Sequence, residues 1–247
     1  MSKIVTYSKK GGNGSGLSLL ERRNGNGKRP LTMVLGKGRM LKQTLQMWER
    51  LGYDMEAVRI AKRERKMIAE TGDFRVLLAK DGDVPIYVQH GAADLGISGR
   101  DVLWESQAKV LVPLLLGDRI PSGHCRLSLI APQATRDRNW RLVHNLTIAS
   151  KYATVTREYV DQQGLGAQVI GLSGNIELAL VCGIADLIVD IVQTGTTLRE
   201  NDLVEIDTIL HSEACLIVNR ASQKLRPVEI RRLIGQLDAQ MAQPLAA

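Results

Sequence analysis

A chain of 247 residues, 44% apolar and 24% charged, is long enough for one large soluble domain or two small lobes with real cores. Aromatics make up only 4%, so the core must be aliphatic and base-stacking platforms for single-stranded nucleic acid are not expected. The formal charge of +7 loses its nucleic-acid meaning once located: residues 1–30 hold seven cations against Glu21 alone, 7 − 1 = +6, which leaves +7 − 6 = +1 for the rest.

The basic stretch is also glycine-rich, with six glycines in GGNGSG and NGNGK, and reads as a solvated, flexible leader over residues 1–29. It has cations but no hydrophobic segment, so no signal peptide is expected, and no apolar run approaches membrane-spanning length. Cys125, Cys182 and Cys215 stand far apart among aliphatic residues, which predicts buried reduced thiols in a cytoplasmic protein and no protein-built metal site.

Folded structure is predicted from Pro30. Leu31–Leu35 reads as a strand, Gly36-Lys37-Gly38-Arg39 as a glycine-rich turn, and Met40–Leu51 as an amphipathic helix. Arg59–Lys66 (RIAKRERK) is strongly basic, the pattern of a solvated helix face. Phe74–Ala79 is a second strand. Pro85 opens a helix that closes at Gly91, and Ala93–Ser98 leads into a strand. Val110–Leu116 and Cys125–Ala131 are further strands. Asn145–Ala149 precedes a helix that stops at Gly164. Ala167–Leu172 is a strand and Asn175–Cys182 a helix. Glu205–Leu210 and Ala214–Val218 are strands, and Pro227–Ala242 is the closing helix.

Two stretches echo each other. Gly91-Ala92-Ala93-Asp94-Leu95-Gly96-Ile97 and Gly183-Ile184-Ala185-Asp186-Leu187-Ile188-Val189 each place A-D-L between a helix-ending glycine and a strand. Two copies suit two similar α/β lobes with a ligand cleft between them, not a solenoid. Asp94 and Asp186 are expected to accept backbone N–H bonds at these corners.

The second echo runs into the most informative loop. Leu187–Val189 reads as a buried strand, Asp190 as an acid at its end, Thr194-Gly195-Thr196-Thr197 as a tight loop and Leu198–Asn201 as a helix start. Loop N–H groups and threonine hydroxyls would face a phosphate, and Gly195 permits close approach or a positive φ. The acid is unwelcome beside a phosphate unless it binds sugar hydroxyls or a metal, which favours a sugar phosphate. A plain strand–turn–helix junction with Thr196 or Thr197 as N-cap accounts for the same residues about equally well.

The segments VLGKGRML, DVPIYVQHGAADLGISGRDVL, CRLSLIAP and ELALVCGIADLIVDIVQTGTTLREN, spread from about Leu31 to Asn219, resemble ATP phosphoribosyltransferase, the family of the first step of histidine biosynthesis. The chain ends soon after the last shared strand and so resembles the short form, without a regulatory C-terminal domain. The resemblance implies attack by N1 of the ATP adenine on C1 of phosphoribosyl diphosphate, releasing pyrophosphate with Mg²⁺ present. It also implies a homodimer that assembles with a separate subunit resembling histidyl-tRNA synthetase. Nucleic acid and membrane are not expected partners.

Carried over by motif, Thr194, Gly195, Thr196 and Thr197 would hold the 5-phosphate, and Asp190 and Glu177 the ribose hydroxyls. Lys37, Gly38 and Arg39 match the family's glycine turn, with Arg39 set to stabilise pyrophosphate. Arg65 aligns with a second phosphate-directed arginine, neighbouring Arg63 leaving the register open. Lys151, beside Tyr152, is a weaker phosphate candidate. Three positions depart from the pattern: Leu180 stands for proline, Asn175 for serine, and Lys80 for arginine, which keeps charge but loses the fork.

The implied fold is α/β, two-lobed and periplasmic-binding-protein-like (type II), with the active site in the inter-lobe cleft. Lobe I would comprise residues 30–127 plus 212–247 and lobe II residues 128–211, the chain crossing near Cys125–Ala131 and returning near Ala214–Val218. A fold alone does not give function, so a non-catalytic small-molecule-binding protein is the rival from another class. A nucleobase-salvage phosphoribosyltransferase shares the acid-and-loop logic but lacks the KGR turn and the echo.

Overall fold

The aliphatic runs become strands because they are short, β-branched and closed by glycine or acid turns. In the computed structural model, which describes residues 29–241, the first is β1 (Leu31–Gly36), followed by α1 (Leu41–Arg50), α2 (Glu56–Arg63), β2 (Ile68–Glu70), β3 (Phe74–Ala79), α3 (Val84–Gln89), β4 (Leu95–Gly99), α4 (Arg100–Ser106) and β5 (Leu111–Leu115). Then come β6 (Cys125–Pro132), β7 (Leu146–Ser150), α5 (Ala153–Gln163), β8 (Ala167–Gly171), α6 (Leu178–Val181), β9 (Leu187–Val192), α7 (Thr196–Glu200) and β10 (Leu203–Ser212). β11 (Ala214–Val218), α8 (Arg220–Leu225) and α9 (Pro227–Met241) complete the described residues. The expected leader lies outside the described residues apart from Arg29, as does the expected last helical residue, Ala242.

The chain divides into two compact α/β units. Among the described residues, the first gathers those up to Val102, Ala108–Gly123 and those from Ala214 on; the second holds Leu103–Gln107 and His124–Glu213. In unit 1 a six-stranded sheet has the order β2-β3-β1-β4-β11-β5. β1 pairs in parallel with β3 and β4, while β11 runs antiparallel to β4 and β5. Its core is a continuous cluster in which Trp48, Phe74 and Tyr53 pack ring against ring, with centroids 4.9–5.7 Å apart.

Unit 2 repeats the plan with five strands, β10-β6-β9-β7-β8. β7 pairs in parallel with β8 and β9, and β6 runs antiparallel to β9 and β10. One face packs Leu127, Leu129, Ile148 and Val189 against Val155 and Tyr159 of α5; the other packs Ile130, Ile188 and Val192 against Ile176, Ala179 and Leu198.

The echoed corners are built as the residues predict. Thr32 N–H donates to Asp94 Oδ2 at 2.8 Å, and Asp94 N–H returns a bond to the Thr32 carbonyl. Thr147 N–H donates to Asp186 Oδ2 at 2.9 Å, and Asp186 N–H donates to the Thr147 carbonyl. Each aspartate therefore staples the start of one parallel strand to the next.

Three expectations are corrected. The helix expected over Asn175–Cys182 shrinks to α6, because Asn175 takes a φ of +33° and the turns after it close through i to i+3 bonds. Cys182 is exposed rather than buried, although all three thiols are free. Asp190 lies inside β9 instead of after it, because β6 pairs with β9 as far as Val192.

Candidate active site

In unit 2 the strand order brings a short acidic and threonine-rich constellation together. Asp190 faces Ser128 across the β6–β9 ladder and is half-buried. Its Oδ1 accepts the Ile191 N–H at 2.8 Å. Burial raises its pKa above the ordinary aspartate value; the Ile191 bond opposes this, the nearby charge of Glu177 adds to it and Lys151 opposes it. Glu177 stands at the N-cap of α6, where Ile176 and Ala179 anchor the segment to the core. The sequence-predicted residues Asp190, Glu177 and Lys151 thus share one electrostatic neighbourhood.

The loop after β9 turns on Gly195, whose φ of +72° and ψ of 9° lie in the left-handed region open to glycine without strain. Gly195 itself is the N-cap of α7, so neither Thr196 nor Thr197 caps the helix; both are its first residues. The Thr194 and Thr196 hydroxyl oxygens lie 3.1 Å apart. Arg199 donates from one nitrogen to the Thr194 carbonyl at 3.3 Å and from the other to Thr196 Oγ1 at 3.1 Å. Asn201 steadies the far end through the Thr197 carbonyl at 2.8 Å. Arg199 had no assigned role in the sequence reading; its position three residues after Thr196 was the available signal.

Lys151 lies exposed at the end of β7. Three of the N–H groups that follow it are already satisfied: Ser150 Oγ takes Tyr152 N–H at 2.8 Å, and the Glu105 carboxylate takes Thr154 and Val155 N–H at 3.0–3.2 Å. The α5 N-terminus is therefore occupied by the chain's own acid, and what Lys151 offers is its charge beside Asp190.

In unit 1 the glycine turn is clamped. Lys37 N–H donates to the Ala79 carbonyl at 3.0 Å and Gly38 N–H to Asp81 Oδ1 at 3.1 Å. A methyl group at Gly36 or Gly38 would overlap the Asp81 carboxylate, so both glycines are required by its close approach. Arg39 donates to the Ser122 carbonyl, and Ser122 N–H donates to Gln43 Oε1 at 2.8 Å. Arg65 ends α2 with a φ of +58°, Lys66 N–H reaching the Ala61 carbonyl at 2.8 Å and Arg65 N–H the Lys62 carbonyl at 3.1 Å. That is a Schellman stop with arginine where glycine is usual. Lys80 is exposed beside Asp81.

Among the described residues no group of three or more His, Cys, Asp or Glu gathers as a metal cage, and no helix is long and apolar enough to cross a membrane.

Comparisons with known proteins identify the family. Residues 80–239 match the model of the family described as ATP phosphoribosyltransferase. The chain is 45% identical over 204 residues to an ATP phosphoribosyltransferase of Thermococcus gammatolerans, covering 83% of this chain and 95% of that one. It superposes with a TM-score of 0.71 and 29% identity on a chain of the ATP phosphoribosyl transferase (HisG:HisZ) complex from Thermotoga maritima, covering 85% of this chain and 96% of that one. The periplasmic aliphatic sulphonate binding protein SsuA of Escherichia coli matches with a TM-score of 0.53 at 11% identity, covering 84% and 67%, a likeness of fold alone.

Proposed function

The chain belongs to the ATP phosphoribosyltransferase family, and from that premise we propose how its residues divide the work. It is a pentosyltransferase of the first step of histidine biosynthesis, on a two-lobed, periplasmic-binding-protein-like α/β fold. The reaction joins N1 of the ATP adenine to C1 of phosphoribosyl diphosphate as the C1–oxygen bond to pyrophosphate breaks. Positive charge grows on the sugar and negative charge on the leaving group. Neither partner needs a covalent enzyme nucleophile, so positioning and placed charge supply the rate.

The observation that carries this division is the constellation in unit 2. Thr194, Gly195, Thr196 and Thr197 hold the 5-phosphate through hydroxyls and N–H groups, with Arg199 adding a cation against the loop. Asp190 and Glu177 take the ribose hydroxyls. A half-buried carboxylate that accepts one backbone N–H retains acceptor capacity, and a hydroxyl donor would offset its burial. Lys151 balances the two acids. In unit 1, Lys37, Gly38 and Arg39 meet the pyrophosphate, and Arg65, held in a strained backbone, adds a second cation.

The Mg²⁺ expected with the diphosphate needs no protein-built cage, since Mg²⁺ keeps several waters and is commonly bound through substrate phosphates. It would arrive with the diphosphate, its ligands drawn mainly from the substrate's own phosphate oxygens and water, and would neutralise phosphate charge while Asp190 and Glu177 keep the ribose hydroxyls. The same proposal includes a homodimer, as the family resemblance implies, and a separate regulatory subunit, which the likeness to the two-component Thermotoga complex supports. A cytoplasmic setting is supported by the three free thiols.

The test is formation of the ATP adduct, followed by near-ultraviolet absorbance with pyrophosphatase present to pull the equilibrium. We expect a signal that needs both substrates, with or without a synthetase-like partner subunit. Substrate binding without turnover in both settings would favour the binding-protein reading instead.

A further inference from the structure

The loop that follows β9 begins at Gln193, and a residue distant in sequence holds that point. Arg126 of β6 donates from one nitrogen to the Gln193 carbonyl at 3.3 Å. The rest of its guanidinium is committed to Glu205 of β10: Nε donates to Oε2 at 2.6 Å and a second nitrogen to Oε1. Glu205 Oε2 also accepts the Ser128 hydroxyl at 2.8 Å, and Ser128 is the register partner of Asp190. We propose that the Arg126–Glu205 ion pair is the positioning element of the phosphoribosyl site, fixing the loop entrance and the strand opposite Asp190 to one rigid fork. This rests on the reading of Thr194–Thr197 as the phosphate loop.

Geometry separates this pair from an ordinary surface salt bridge, whose net worth is about 0–1 kcal/mol. Arg59 and Glu49 form a similar fork, but it joins α1 to α2 and holds no loop. The Arg126–Glu205 side chains are only 31% and 25% exposed, and three strands meet at them. A guanidinium can serve a carboxylate with two nitrogens and still spare a donor for a carbonyl; a lysine ammonium keeps the charge without that planar fork. The Arg126 bond also lowers the Glu205 pKa, so the fork persists further into acid.

The experiment compares the full chain with Glu205→Gln and Arg126→Lys. Amide hydrogen exchange is read first, without ligand, so that it depends on no assumed substrate. Exchange at Arg199 and Asn201, whose N–H groups bond the Gly195 and Leu198 carbonyls at the end of this loop, should quicken about tenfold in both variants while β7 and β8 stay protected. Steady-state kinetics follow, with the partner subunit added if turnover requires it. KM for phosphoribosyl diphosphate should rise about tenfold, KM for ATP should stay within about twofold, and Arg126→Lys should not rescue the defect.

Unchanged exchange in the loop would overturn the proposal whatever the loop binds. So would a looser loop with unaltered kinetics, or loosening across the whole sheet with both KM values moving together, which would make the pair a fold element. A wild-type chain that neither binds nor turns over phosphoribosyl diphosphate would sink the phosphoribosyl reading, with the exchange result still deciding whether the pair fixes the loop.

Discussion

The two units build the same corner and then diverge. In each, an aspartate after a helix-ending glycine takes the N–H of the neighbouring parallel strand, at Thr32 in one and Thr147 in the other. Beyond the strand the chemistry separates. β4 closes on Gly99, whose missing side chain makes room for the Asp101 carboxylate. β9 instead runs to a left-handed glycine, three threonines and Arg199. A shared backbone device thus carries a closed, acid-filled end in one unit and a threonine- and arginine-bearing loop in the other, and the proposed function follows the loop.

The corners differ in their surroundings as well. Asp94 is fully buried and also receives the Ser222 hydroxyl at 2.7 Å and ion pairs from Arg226 and Arg29 at 3.4 and 3.5 Å. Asp186 is half-buried and adds only the Thr147 hydroxyl at 2.9 Å. Asp94 therefore locks both ends of the described chain to unit 1, while Asp186 joins two strands.

If that contrast is right, the largest loss of activity comes from the loop. Gly195→Val forces a β-branched side chain into a φ of +72°, and kcat/KM should fall by about a hundredfold or more. Circular dichroism should show the fold retained, and a variant of near-normal activity would argue that the loop does not hold substrate.

The largest loss of stability comes from the corner with more partners. Asp94→Ala should cost about 2–4 kcal/mol, because it leaves the buried Thr32 N–H and Ser222 hydroxyl without their acceptor and takes a carboxylate from the partly exposed Arg226 and Arg29. Asp186→Ala should cost about 1–2 kcal/mol. Equal denaturation midpoints would break the comparison.

The glycine turn gives an intermediate effect with a built-in control. Gly38→Ala collides with Asp81 and should destabilise unit 1 by about 1–3 kcal/mol. In an Asp81→Gly background the same change should become nearly neutral, a coupling that a double-mutant cycle measures directly.

The smallest effect is a gain. Asp190 has its pKa raised by burial, so the native state holds its proton more tightly than the unfolded chain. That contribution is full below the unfolded pKa and lost as pH rises through the folded one. Asp190→Asn should therefore melt at a higher temperature than the parent at neutral pH and at the same temperature in acid, while turnover collapses. A lower melting temperature at neutral pH would show that Asp190 is stabilised, not strained, in place.

Much of this was legible in the sequence because it is local. Phe74–Ala79 and Ala214–Val218 are strands at their predicted bounds, Gly164 ends its helix in the left-handed conformation, and both corner aspartates were readable from the repeated A-D-L. Local signals fail where a distant segment decides. β2 is three residues that exist because β3 pairs with them. Asp190 falls inside β9 because β6, some sixty residues earlier (190 − 128 = 62), extends that strand. Asp81 in the glycine turn, Glu105 on the α5 N-terminus and Arg126 at Gln193 are all long-range contacts between polar residues, which carry no periodicity to read.

The most direct measurement of the central claim is a full steady-state comparison of the chain with Thr197→Ala, each substrate varied in turn. The account predicts a KM for phosphoribosyl diphosphate raised about tenfold or more, with KM for ATP nearly unchanged. Equal KM values for phosphoribosyl diphosphate in the two proteins would contradict it and move the sugar phosphate away from the loop after β9.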